Sequence, residues 1–328
     1  MENEIKKAAN FIRNNDNFCF LCHKRLDGDT LGAAYSLYFA CDVLNKNSVV
    51  KTYEDEVSEK FSFIYPERSE IQKFDIKHYV SVDVADLNLL EEDFKNEKIS
   101  LCIDHHETNT LVADFKCVDE KSAATCEIIY LILKELGVKI DKKIANCLYL
   151  GISTDTGCFK YQNVTKRTHE IAANLIELGA DFYNINFNAF DRKSKNRLRL
   201  EGEVIKNLKY YFEDRCVIVF ITKDIINRVG ATLEDCSSVS YIAASFEEAL
   251  IAITAKEEKN GFKISVRTRD FCDASLFCKR FNGGGHKRAA GCFIEGEKEE
   301  VLEKLLKALN EEFNFEFKEF IKSVEGGI

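Results

Sequence analysis

The sequence predicts an α/β protein with two domains: a mainly parallel sheet in the N-terminal one, and a smaller α/β domain after it. Three observations lead there. Short apolar runs alternate with segments of helical period between Asn17 and Leu178, acid- and histidine-rich turns follow several of those runs, and 328 residues with 45% hydrophobic content can fill two cores.

Taken in order, Asn17 to Cys22 reads as a buried strand, and His23-Lys24-Arg25-Leu26-Asp27-Gly28-Asp29-Thr30 follows it. Leu31, Ala34, Leu37, Tyr38, Cys41 and Leu44 then recur at helical spacing, so the polar residues fall in a strand-to-helix turn. In an open α/β sheet such turns lie at the carboxyl ends of the strands, where ligands collect. Val49 to Tyr53 predicts a second strand, and Tyr79 to Val84 a third, carrying Asp83 near its end and Asp86 just beyond. Ile99 to Ile103 predicts a fourth, ending at Asp104-His105-His106, and Ala113 to Val118 a further short one. Helices are expected over Ala123 to Leu136 and about Thr165 to Leu178, and Lys143 to Gly151 is apolar at helical spacing before Ser153-Thr154-Asp155-Thr156-Gly157. Strands alternating with helices over this length predict a parallel sheet covered on both faces.

Composition shifts around Asp181 to Leu208, where Asp191 to Arg199 carries five basic residues; such a run is ordinarily a solvated face. Cys216 to Thr222, Ala249 to Ala255 and Phe262 to Arg267 predict strands of a second sheet. Ala274 to Phe281 is expected to be helical, Asn282 to His286 a loop, and the chain to close with a helix whose apolar face is Val301, Leu302, Leu305, Leu306, Leu309 and Phe313. The expected organisation is a domain over 1–185, a connecting helix over 186–208 and a second domain over 209–328.

A formal net charge of −9 argues against a broad basic surface that tracks long nucleic acid, while leaving room for a small anion in a local pocket. No stretch approaches the ~20 apolar residues that span a bilayer, so no membrane partner is expected, and the N-terminus has no basic segment followed by an apolar run. Thirteen cysteines without a framework spacing fit a reducing compartment, and a cytoplasmic protein is expected. Cys19 and Cys22 form a Cys-x-x-Cys, but an odd separation in a strand points the thiols to opposite faces, so a core role is preferred to a zinc or redox half-site.

His23, Asp27 and Asp29 supply nitrogen and oxygen ligands suited to a divalent ion of the manganese, iron or magnesium kind. An EF-hand loop from Asp27 fails, because Leu31 and Tyr38 fall where oxygen ligands are required. The Asp-x-Asp-x-Thr nucleophile loop of haloacid-dehalogenase-like phosphatases matches locally, yet Lys24, Arg25 and Leu26 separate Asp27 from its strand. The zincin motif is absent around His169-Glu170, and His169 is expected at the surface. Any one of these acids reads blandly as a helix cap, Asp29 above all. That reading weakens because Asp83, Asp104, His105 and Asp155 are expected at equivalent strand ends of one sheet.

His23-x-x-x-Asp27-x-Asp29, Asp83, Asp104-His105-His106 and Thr154-Asp155-Thr156-Gly157, in that order, together resemble the DHH phosphoesterase superfamily. Gly283-Gly284-Gly285-His286 with Ala289-Ala290-Gly291 resembles the signature of its DHH-associated C-terminal domain. Within the superfamily, two compact domains look like the nanoRNase and 3′,5′-bisphosphate nucleotide phosphatase branch. Stand-alone phosphodiesterases of cyclic di-AMP and linear pApA are hard to separate from it by motif, and inorganic pyrophosphatases are disfavoured because they lack the glycine-rich histidine loop.

The resemblance implies an active site in the cleft between the domains and two Mn²⁺ ions, with Mg²⁺ or Co²⁺ as substitutes. One ion would be held by His23, Asp27 and Asp83, the other by Asp29, Asp83, His105 and Asp155, with Asp83 shared. His106 would touch the phosphate, Asp104 would orient a neighbouring imidazole or serve as a buried structural acid, and Arg267, Gly283, Gly284, Gly285 and His286 would bind substrate. Arg269 reads as a solvated strand end. Expected substrates are short oligonucleotides or dinucleotides and 3′-phosphoadenosine 5′-phosphate; a catalytically dead nucleotide-binding module is the rival from another class. The apolar helix Ala123 to Leu136 fits either a core or a homodimer surface.

Overall fold

The computed structural model describes residues 1–52, 61, 64, 74–232, 235–236 and 239–325, with side chains through 312. Tyr53, Pro66 and the side chain of Phe313 lie outside the described residues. Two units divide the chain, Met1–Arg192 and Lys193–Ile328.

In the first unit, five strands, β1 (Phe18–Leu21), β2 (Ser48–Lys51), β3 (His78–Val82), β4 (Ile99–Asp104) and β5 (Phe115–Val118), pair in the order β2-β1-β3-β4-β5. Every pairing is parallel. The order reverses between β1 and β3, and an open α/β sheet forms its ligand crevice beyond the carboxyl ends of the strands at such a point. His23 follows β1 and Asp83 follows β3, so both stand there.

Helices α1 (Glu2–Asn14), α2 (Gly28–Val43), α3 (Thr125–Leu136), α4 (Lys142–Asp155) and α5 (Lys166–Glu177) share one core with Phe18, Phe20, Val80, Val82, Leu101 and Ile103. The opposite face buries Cys19, Leu21 and Cys102 under Leu90 and Leu111, beside the short 3-10 turns Leu87–Leu89 and Glu92–Phe94. Both faces are covered, as expected, but among the described residues the α-helices lie on one. Helix α1 was not expected: Ile5, Ala8, Ala9 and Ile12 bury one stripe of an otherwise charged segment. Cys19 and Cys22 belong to different faces, and burial pushes both thiols up to about 12, as inert core cysteines require.

Helix α2 is buried nearly all round, with only Tyr38, Asp42 and Val43 reaching the surface. It crosses α4 on bare backbone. A Cβ on Gly32 would stand 2.3 Å from the Cys147 carbonyl, and one on Gly151 would stand 2.2 Å from Cys126 Sγ and 2.6 Å from Asp29 Oδ1. Helix α3 buries Cys126, Ile128, Ile129, Tyr130, Ile132 and Leu133, which is the core reading of that apolar segment. A short helix, α6 (Phe182–Asn186), and the π-helical turn Phe187–Asp191 complete the unit.

The second unit begins with α7 (Lys195–Lys206), whose Leu200 and Val204 pack into its core with Val217, Val219 and Ile221. The basic run is partly consumed in ion pairs: Lys193 Nζ and Arg197 Nε meet Glu201 at 2.8 and 2.9 Å. Six strands follow, β6 (Lys209–Tyr211), β7 (Cys216–Ile221), β8 (Ile251–Glu257), β9 (Gly261–Thr268), β10 (Gly284–His286) and β11 (Ala289–Glu295), in the order β10-β11-β9-β8-β7-β6. Only β7 and β8 run parallel. Helices α8 (Lys223–Val229) and α9 (Ser240–Ala244) lie on the α7 side; α10 (Ala274–Lys279) and α11 (Lys298–Glu325) bury Phe277, Cys278, Val301, Leu305 and Leu309 against the other face. The stretch expected as a loop at 282–286 is partly strand, because Gly284 to His286 pairs with Ala289 to Gly291 as a hairpin.

Candidate metal centre

Beyond β1, Asp27 caps α2: its Oδ1 accepts the N–H groups of Asp29 and Thr30, each at 3.0 Å. Its other oxygen, Oδ2, stands 3.3 Å from His23 Nε2. The cap of this helix is thus made by Asp27, and Asp29, for which the cap is the bland reading, points into the core. Fully buried, it accepts the backbone N–H of Thr125 at 2.6 Å and of Cys126 at 3.0 Å, capping the start of α3 from another helix.

Asp83 follows β3 with φ +60°, a left-handed conformation that costs a non-glycine residue about 1–2 kcal/mol. Its N–H donates to the Ile103 carbonyl at 3.0 Å, and Thr125 Oγ1 donates to its Oδ1 at 3.0 Å. The two carboxylate oxygens face different partners. Oδ2 lies 3.5 Å from His23 Nε2, while Oδ1 lies 3.6 Å from His105 Nε2 and 3.6 Å from His106 Nδ1.

At the end of β4, Asp104 is buried and turns inward. Its Oδ1 accepts the His105 N–H at 2.8 Å and lies 2.8 Å from His106 Nδ1; Asn109 Nδ2 donates to its Oδ2 at 2.5 Å. His105 Nδ1 lies 3.2 Å from the Ser122 carbonyl, and that acceptor fixes the ring so that Nε2 is presented to the acids. Nε2 stands 3.2 Å from Asp155 Oδ2 and 4.0 Å from Asp29 Oδ2. Asp155 departs from expectation in its origin. It is the last residue of α4 rather than the end of a strand, so a helix on one face of the sheet reaches the same crevice.

Electrostatics follow from the crowding. Burial, followed by the charges of Asp83, Asp155 and Asp27, lifts the Asp29 carboxyl well above the usual range; burial and the neighbouring acids bring Asp155 up to about 6. Burial opposes charge on His23, but its hydrogen bonds to Asp27 and Asp83 outweigh it and raise that ring to about 10. The hydrogen bond to Asp104 raises His106 to about 9, against its burial. Among the described residues, the ion-pair partners of Asp27, Asp29, Asp83 and Asp155 are histidine rings, never lysine or arginine.

Donor atoms within 4.8 Å of one another form three overlapping groups: His23, Asp27 and Asp83; Asp29, His105 and Asp155; and Asp83, His105 and His106. Four carboxylates without a lysine or arginine counter-charge, interleaved with imidazole nitrogens, fit divalent cations of the manganese or magnesium kind. Sequence reasoning missed Thr125, Ser122 and Asn109. Asn109 alone carried a signal, three residues after His106 in the same turn; the other two act from a distant loop and helix start.

In the second unit, Gly285 has φ +144°, and a Cβ on Gly283 would stand 2.3 Å from the Gly291 carbonyl, so β10 lies close against β11. Residues Gly284 to Arg288 are exposed, and His286 sits opposite Ala289. Arg267 is half-buried on β9, opposite Ala289 and Ala252, with Nη1 donating to the Val266 carbonyl at 3.0 Å. Arg269 is not simply a solvated strand end. Its guanidinium donates to the carbonyls of Ala244 at 2.6 Å and Glu247 at 3.2 Å, securing the end of α9. His169 is exposed, as expected, and stacks on Phe159.

A parallel sheet with histidines and aspartates gathered at its switch point, joined to a mixed-sheet unit with a glycine-histidine hairpin, defines a phosphoesterase of the DHH family. The chain belongs to that family: residues 17–152 match the DHH family N-terminal domain and residues 213–314 match the DHHA1 domain. It is similar to proteins named bifunctional oligoribonuclease and PAP phosphatase NrnA from Mycoplasma genitalium, 29% identical with 90% of this chain and 94% of the relative covered, and from Thermus thermophilus, 26% identical with 88% of each covered. A crystal structure of an exopolyphosphatase-related protein from Bacteroides fragilis shares the fold, with a TM-score of 0.84 at 22% identity over 97% of this chain and 98% of that one.

Proposed function

We propose that this phosphoesterase uses two Mn²⁺ ions to hydrolyse very short oligoribonucleotides to mononucleotides, and also removes the 3′-phosphate of 3′-phosphoadenosine 5′-phosphate. The observation that carries the two-ion reading is the carboxylate of Asp83, whose Oδ2 faces His23 at 3.5 Å while its Oδ1 faces His105 at 3.6 Å. One ion is assigned to His23, Asp27 and Asp83, the other to Asp29, Asp83, His105 and Asp155. When bound, such a pair supplies a water activated near neutral pH and neutralises charge on the attacking and leaving oxygens. The oligonucleotide and PAP specificity draws its support from the relatives, whose names carry both activities and whose lengths the match nearly spans.

The protein's own groups have separable tasks. His106, pushed toward its charged form by the hydrogen bond to Asp104 through Nδ1, offers its Nε2–H to a non-bridging phosphate oxygen and stabilises the charge that develops there. Asp104, fixed by Asn109, aims that ring. Arg267, His286 and the glycines Gly283, Gly284 and Gly285 bind the part of the substrate remote from the scissile phosphate, although the Gly283 N–H is itself donated to the Cys278 carbonyl at 2.9 Å.

The test is product analysis with Mn²⁺ on an equimolar mixture of 5′-phosphorylated di- and pentanucleotides, cyclic di-AMP and 3′-phosphoadenosine 5′-phosphate. Rapid conversion of the dinucleotide to mononucleotides, with cyclic di-AMP untouched, is the expected outcome. Preferential opening of cyclic di-AMP would assign the protein to cyclic-dinucleotide turnover instead, and no turnover of any would leave a binding module.

A further inference from the structure

The segment Asp119 to Ala124 joins β5 to α3 and carries the carbonyl on which the His105 ring rests. Ala123 and Ala124 at its end are buried, and polar groups hold the part from Asp119 to Ser122. Ser122 Oγ donates to Asp119 Oδ2 at 2.8 Å, the Asp119 N–H donates to the Asp104 carbonyl at 3.0 Å, and the Ser122 carbonyl meets His105 Nδ1 at 3.2 Å. From α5, a single guanidinium closes the arrangement. Arg167 Nη2 donates to Asp119 Oδ2 at 3.0 Å and to Ser122 Oγ at 2.8 Å, while its Nε donates to Glu127 Oε2 at 3.2 Å in the first turn of α3.

Glu127 shows why this guanidinium matters. The residue is fully buried, its Oε1 has no hydrogen-bond partner among the described residues, and Arg167 is its cationic partner. A buried acid held at one oxygen by one cation is costly unless that cation stays in place. Asn163 works from the other side, with Nδ2 donating to the carbonyls of Ala123 at 3.0 Å and Asp155 at 3.1 Å. Arg167 and Asn163 together span from the loop that supports His105 to the helix end that carries Asp155.

We propose that Arg167 is a positioning residue for the metal centre: by clamping Asp119, Ser122 and Glu127 it holds the Ser122 carbonyl where it receives the His105 Nδ1–H, keeping Nε2 turned toward Asp155 and Asp83. The role rests on the metal-dependent reading given above, but the geometry it fixes exists in the metal-free protein. Groups that orient a ligand ring are worth about 10- to 100-fold in metal affinity or activity.

Because Arg167→Met alone would strand the Glu127 charge, the informative variant is Arg167→Met with Glu127→Gln, compared with Arg167→Lys and Glu127→Gln alone. The first readout needs neither metal nor turnover: the His105 Nδ1–H proton resonance, recorded on the full metal-free chain. A protected downfield signal is expected in the wild type and in Glu127→Gln, and its loss to solvent exchange in the double variant, with partial retention in Arg167→Lys. The second is Mn²⁺ titration and kinetics on a linear dinucleotide, where a roughly 10-fold weaker Kd and a kcat about 10-fold lower at unchanged KM are expected for the folded double variant. Equal protection of the His105 proton in the double variant would overturn the assignment. If wild-type protein bound no Mn²⁺ the metal reading would fall, and the proton signal would still decide the role of Arg167.

Discussion

Asp29 Oδ1 accepts the backbone N–H of Cys126 at 3.0 Å, across 97 residues of chain. One carboxylate therefore both closes the start of α3 and belongs to the donor group formed with His105 and Asp155. Asp29→Ala is expected to destabilise the metal-free protein as well as abolish activity. It orphans two buried N–H groups at roughly 1 kcal/mol or more each. Urea unfolding in excess chelator measures this, and unchanged stability would contradict the capping role.

Replacing Asp83 should separate stability from metal binding. Asp83→Gly relieves the left-handed strain at φ +60° but leaves Thr125 Oγ1 without its acceptor and His23 without one of its partners, so the stability of the metal-free protein should change little while turnover is lost. Wild-type protein at 100 times the Kd for Mn²⁺ should gain about 2.7 kcal/mol, and the variant much less. Paired thermal scans with Mn²⁺ and with chelator distinguish the two; an equal metal-induced rise in the variant would sink the shared-ligand assignment.

His286→Ala and Arg267→Ala should raise KM for a dinucleotide by about 10-fold or more, the worth of a charged hydrogen bond, with a smaller effect on kcat. Steady-state kinetics on di- and pentanucleotides checks this. An unchanged KM in both variants would remove the second unit from substrate binding.

Glu201 gives a pH dependence remote from the metal centre. Burial opposes its ionisation, but Lys193, Arg197 and Tyr241 outweigh it and hold the carboxyl below its usual range. A depressed folded pKa contributes stability above the unfolded value and loses it as pH falls through the folded one. Stability should therefore decline below about pH 5, and less steeply in Glu201→Gln. Denaturation midpoints between neutral and acid pH test it, and parallel curves would refute it.

Much of this was legible in the chain. The strands β1, β3 and β4 announce themselves as apolar runs, and His23, Asp83 and Asp104-His105-His106 follow them directly, so sequence position and sheet position coincide. Asp155 could not be placed so well: apolar helical spacing before it says nothing of which face the helix covers or where its end arrives. The hairpin of β10 and β11 was hidden because Gly283 to Gly285 and Ala289 to Gly291 carry almost no side-chain pattern to alternate. Arg167 and Glu127 were invisible for a different reason, since an ion pair between two helices has no signature in either. Asn163 likewise looks like any loop residue until its two carbonyl partners are seen.

At the crossing of α2 and α4, Gly32 and Gly151 leave no room for a methyl group between the helix carrying Asp29 and the helix carrying Asp155. The gauge of the site is thus set by atoms that are missing, like a caliper closed on bare backbone. A chain can retain every histidine and aspartate of the centre and still lose it through one hydrogen-to-methyl exchange at a residue with no chemistry of its own.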